Sequence, residues 1–227
     1  MPERPRRPLP AERFTGFPLE GIEFFRDLSA HNAREWFLAH KHVYERACRA
    51  PMQALAAALE PRWGPARISR INRDLRFARG RPPYKTHIAA GVGGRYISLS
   101  PEGLWVGGGI YRPEPARLRR LRAAIAHPRT GPQLQSILSS LRRKGYGIDT
   151  HDRVASAPRG FRPDHPRLDL LRMKDLYAGR EFAPAAWLAT PAALGRIERV
   201  LTDMGPLVAW LRRNAPDDRG DAGDSED

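Results

Sequence analysis

The stretch 84-YKTHIAAGVGGRYISLSPEGLWVGGGIY-111 decides the fold. Its runs YKTHIAAGV, RYISLS and LWVGGGIY read as strands, and Pro101-Glu102-Gly103 makes the turn between the last two. Strands joined by so few residues must pair antiparallel, because a parallel pair needs a crossover of a dozen residues or more. The middle of the chain is therefore expected to be an antiparallel sheet.

Toward the C-terminus the apolar period lengthens to three and four. Pro115 suits the first turn of a helix reaching about His127, with Leu118, Leu121 and Ile125 inward. Pro132 opens another helix, carrying Leu134, Ile137, Leu138 and Leu141. Residues 145–166 read as irregular chain, 168–173 as a short helix and 175–182 as a last strand. Thr190-Pro191 starts a final helix whose stripe is Leu194, Ile197, Leu201, Met204, Val208 and Leu211, with a bend at Pro206.

Toward the N-terminus, Phe24, Phe25 and Leu28 share one face of a helix over residues 21–30. Asn32 and Glu35 have capping-box spacing, so Asn32 is expected to cap a helix that buries Trp36 and Phe37. Pro51 lacks an amide hydrogen and should kink that helix or begin a new one. Strands clustered centrally with helices on either side give an α+β class, a central antiparallel sheet flanked by amphipathic helices. Residues 14–215 are expected to form one domain, 1–13 a flexible basic arm and 216–227 a disordered acidic tail.

Cys48 is the only cysteine, which excludes an internal disulfide and a cysteine-cluster zinc site. No apolar run approaches the ~18 residues that span a bilayer. No apolar segment follows the basic N-terminus as a secretory signal requires. A cytoplasmic protein without membrane contact is expected. The net charge is +14; the tail contributes −5 and the arm +2, which leaves +17 on residues 14–215. Such a field attracts polyanions. Only four of the 39 basic residues are lysine, so a genome rich in guanine and cytosine is a second source of the arginine excess.

Upstream of the strands, 67-RISRINRDLRFARGRPPYK-85 places an arginine at every third position from Arg67 to Arg79. Arg67–Asn72 reads as a strand, followed by irregular chain to Pro83. On that strand Arg70, Asn72, Asp74 and Arg76 share the face opposite Ile71, Leu75 and Phe77. Arginine forks suit phosphate or carboxylate, and Asp74 can orient one of them. The candidate ligand-binding residues are Arg70, Arg73, Arg76, Tyr84 and Lys85, with Gly108 and Gly109 of the glycine run; Asp74, Tyr84, Lys85 and His87 are the candidate catalytic groups. A purely structural arginine–aspartate network is the competing reading. Gly107–Gly109 permits a bulge or a close approach; it lacks the lysine and hydroxyl residue of a phosphate-binding P-loop. No metal-ligand spacing is present, and neither a metal nor a cofactor is expected.

Four ordered blocks resemble a bacterial family catalogued as domain of unknown function 2461. They are FFRDLSAHNAREWFLAHKHVYERACRAP, RINRDLRFARGRPPYKTHI, YISLSPEGLWVGGGIYRPEP and PRGFRPDHPRLDLLRMKDL. Asn32, Arg34, Trp36, Phe37, Lys41, Tyr44 and Pro51 carry the first pattern. Gly80-Arg81 stands where the family has an Asp-Lys pair, so a cationic role there passes to arginine. The resemblance implies a stand-alone module and supplies no substrate. The preferred functional reading is a pocket for a small phosphate- or carboxylate-bearing ligand, with or without catalysis. Weak, non-specific nucleic-acid binding and a scaffold without catalysis are the alternatives, and no oligomeric state follows.

Overall fold

The computed structural model describes residues 13–73 and 80–217. The predicted arm and tail lie almost wholly outside that range. Residues 216 and 217 are described and are tied down: Arg117 pairs with Asp217 at 2.9 Å and Arg120 donates to the Pro216 carbonyl at 3.0 Å.

The strands among the described residues are β1 (Ala66–Ile68), β2 (Ile88–Val92), β3 (Arg95–Ser100), β4 (Gly103–Ile110), β5 (Gly147–Asp149) and β6 (Leu176–Phe182). They form one antiparallel sheet in the order β1-β2-β3-β4-β6-β5. Ile88, Ala90, Val92, Ile97, Leu99, Leu104, Val106 and Ile110 alternate along three strands and are all buried. That period of two defines the core face.

The helices cover this face. They are α1 (Leu19–Ala30), α2 (Arg34–Val43), α3 (Ala50–Trp63), α4 (Pro115–Ala126), α5 (Thr130–Arg143), α6 (Leu168–Leu171), α7 (Ala192–Asp203) and α8 (Gly205–Asn214). α1 packs on β3, α3 on β1 and β2, α7 and α8 on β4, and α5 on β5. The chain is a single α+β domain, as its patterning predicts.

The differences from the sequence reading are local. Pro51 falls in the first turn of α3, and a π-helical turn over Tyr44–Arg49 precedes it. A proline cannot donate back along the helix, and the wider turn absorbs the mismatch. The break predicted at Pro206 falls at Met204, because Pro206 sits in the first turn of α8, where its missing N–H is unused. β5 lies inside residues 145–166; three residues are too few to show a period. Asn32 does not cap α2: Ala33 holds that position with no side-chain bond. Phe37 is buried as expected, whereas Trp36 is only partly buried, stacked on His40 at 4.0 Å between ring centroids.

Candidate functional site

Asn32 makes a longer-range contact instead. Its Nδ2 donates to the Tyr84 carbonyl and its Oδ1 accepts the Tyr84 N–H, both at 3.0 Å. One amide side chain thus substitutes for a neighbouring strand and ties the start of α2 to the PPYK segment. Asn72 bridges Tyr84 from the other side, and Arg73 donates Nε to the same carbonyl at 3.3 Å. Asn32→Ala is expected to cost about 1–3 kcal/mol, because it strips the partner from a part-buried N–H. Urea unfolding measures this; Asn32→Asp, which keeps the acceptor, should lose less.

The predicted site residues fall in different places. Tyr84 is buried with its ring stacked on Phe37 at 4.1 Å, so its phenol belongs to the packing of α2. Arg70 and Asn72 are exposed and Ile71 is buried, but the strand expected over Arg67–Asn72 ends at Ile68 and Asn72 makes only an isolated bridge. Lys85 is only 8% exposed. Lys85 and Arg73 both act on His87: burial pushes the His87 pKa below its ordinary value, and these two cations push it further, with Glu102 opposing. Arg73 and Lys85 therefore bring positive charge toward His87 and oppose its protonation. Asp74 and Arg76 lie outside the described residues.

The three glycines answer to separate constraints. A side chain on Gly107 would begin 2.4 Å from Trp105, whose ring lies over Gly107 and Gly179. Gly108 points to the core face, against Val208 and Met204. Gly109 has φ +152° and lies against the β6 backbone. The register sets Gly91, Tyr96, Gly107, Gly179 and Gly147 side by side across the face opposite the core. Trp105 contacts Tyr96 and Tyr177 on this face, and Tyr177 contacts Tyr111, which is 42% exposed.

Two groupings escape motif reading. Asp175, fully buried, meets His151 at the end of the aromatic row. Arg180, Arg196 and Arg199 line a cavity of about 260 Å³ with Tyr146, Phe182 and Val200. The polar runs Asp149-Thr150-His151-Asp152 and Lys174-Asp175 are visible in the sequence. Their pairing depends on the β5–β6 register, which no local pattern encodes.

The family model described as conserved hypothetical protein (DUF2461) matches residues 20–210. No curated protein and no solved structure matches the chain. The matched span holds the whole sheet, the Asn32 clamp, the Arg73–Lys85–His87 group and the Asp175–His151 pair. The chain belongs to the family of conserved hypothetical proteins DUF2461.

Proposed function

We propose that the chain binds a small phosphate- or carboxylate-bearing ligand at Lys85, with Arg73 and His87 beside it. The observation that carries this is a lysine side chain largely enclosed by the fold. Lys85 is 92% covered, and among the described residues no carboxylate pairs with it. Taking an ammonium out of water costs several kcal/mol unless an anion compensates. Arg73 is anchored through Nε on the Tyr84 carbonyl, and its terminal nitrogens, which make no hydrogen bond among the described residues, suit such an anion. Arg70 and Arg76 of the same motif are candidates for widening the site, and Asp74 for orienting one of the guanidiniums.

His87 reports on it. Its folded pKa is depressed below the ordinary 6.5, so the unfolded ring takes up a proton first as pH falls. The free protein should lose stability as pH drops through about 6.5 toward the folded pKa, and His87→Gln should remove that loss. A bound anion offsets Lys85 and Arg73, so pyrophosphate should raise the His87 pKa, read from its NMR titration.

Lys85→Met is the second arm. It should abolish the pyrophosphate effect on His87 while leaving the thermal midpoint unchanged or higher, since it puts an apolar side chain in place of an enclosed lysine that pairs with no carboxylate among the described residues. A titration that pyrophosphate does not move, with a Lys85→Met protein that melts lower, would refute the reading. Pyrophosphate binding that survives Lys85→Met and disappears in Arg199→Gln would move the anion to the arginine-lined cavity.

A further inference from the structure

At the end of the sheet face away from Lys85, three strand ends converge. Tyr177 pairs with Gly109 of β4 and with Asp149 of β5. Two residues earlier, just before β6, Asp175 therefore stands between Tyr111 and His151. Asp175 is fully buried, and four donors meet its carboxylate. Oδ1 accepts from the Thr150 hydroxyl at 2.5 Å and the His151 N–H at 2.9 Å. Oδ2 accepts from the Arg112 N–H at 3.2 Å and from His151 Nδ1.

The arrangement fixes the histidine ring and leaves one nitrogen available. With Nδ1–H donated to the carboxylate, the neutral ring carries its lone pair on Nε2. That nitrogen makes no hydrogen bond among the described residues, and the side chain is 28% exposed. Arg112 takes φ 41°, a left-handed backbone that non-glycine residues rarely adopt, and in it gives its N–H to Asp175. Strain of this kind collects at functional sites.

The surroundings define what can approach. Tyr111 lies 5.4 Å from the His151 ring, Tyr177 is 6.1 Å from Tyr111, and Trp105 is 6.1 Å from Tyr177. These rings form a continuous aromatic wall leading from His151. The Arg112 guanidinium sits 5.3 Å over the Tyr111 ring and brings positive charge to the same rim. A flat ring can stack along such a wall, and a negative charge developing near Arg112 would be stabilised.

We propose that His151 is a general base, positioned by Asp175, that activates water against the carbonyl of an ester bearing an aromatic ring. Nε2 takes a proton from water as the water oxygen bonds to the carbonyl carbon. The tetrahedral adduct then expels the alcohol or phenol oxygen, which recovers the proton from Nε2–H. One water is consumed, an acid and an alcohol form, and no other co-reactant is needed. Asp175 holds the tautomer and stabilises the imidazolium while it exists. His151 is the catalytic residue and Asp175 a positioning residue. The site does not depend on Lys85.

The test uses the full chain and 4-nitrophenyl acetate as probe, followed by release of nitrophenolate. Surface histidines hydrolyse this ester slowly, so His42→Gln is the background control and should leave the rate unchanged. His151→Gln should lower kcat/KM by about 100-fold. Asp175→Asn should lower kcat by at least about 10-fold with little change in KM. Trp105→Ala should act mainly on KM. Should Asp175→Asn fail to fold, nitrogen NMR of the wild-type ring still decides the tautomer: the proton must sit on Nδ1. Wild-type rates in a folded His151→Gln protein would overturn the proposal, and so would a proton on Nε2.

Discussion

Phe25→Ala is expected to cost about 3–5 kcal/mol, the range for truncating a fully buried phenylalanine. Phe25 is 0% exposed, packed edge-on against Phe24 at 5.4 Å and Tyr44 at 6.5 Å. It lies where α1 meets the π-helical turn and the back of β3. The loss combines the transfer of a large ring with a cavity that the π-helical turn and the sheet cannot both close. Chemical denaturation measures it as a fall in the midpoint at constant slope. Leu38→Ala, on the neighbouring α2, is the internal control. Leu38 is 56% exposed, so its loss should stay within about 0.5 kcal/mol. Equal effects from the two substitutions would mean that α1 does not anchor the sheet.

Asp175→Ala should be comparably severe, about 3–5 kcal/mol. A buried carboxylate that accepts from Thr150, His151 and Arg112 holds the ends of β4, β5 and β6 together. Its removal leaves two part-buried backbone N–H groups, those of His151 and Arg112, without partners, at about 1–3 kcal/mol each. Asp175→Asn keeps acceptor capacity on one oxygen and should lose less. Hydrogen exchange gives the local signature: the amides of His151 and Arg112 should lose protection before those of β2 and β3. Exchange that stays uniform across the sheet would show that the carboxylate does not tie these strands.

The sheet and most helices were legible because their causes are local. The alternation in RYISLS and LWVGGGIY follows from the period of a strand, and PEG forces the chain back on itself. Pro115 marks the start of α4 because a proline tolerates only the first turn. The strand expected over Arg67–Asn72 was legible only in part: β1 ends at Ile68, and Asn72 makes an isolated bridge to Tyr84. The family blocks bring Asn32, Lys85 and the glycine run into one ordered pattern before any contact is known.

Tertiary structure decided which partner each polar group finds. The spacing of Asn32 and Glu35 is that of a cap, yet Asn32 binds Tyr84, 52 residues away, because two backbone groups there outcompete the local turn. Gly107 reads as conformational freedom and serves to seat the Trp105 ring. His151 and Asp175 stand 24 residues apart, and three-residue β5 brings them together. Periodicity and punctuation act over a few residues and determine the elements. The meeting of side chains across strands depends on register and edge pairing, and those exist only once the whole sheet has closed on its helices.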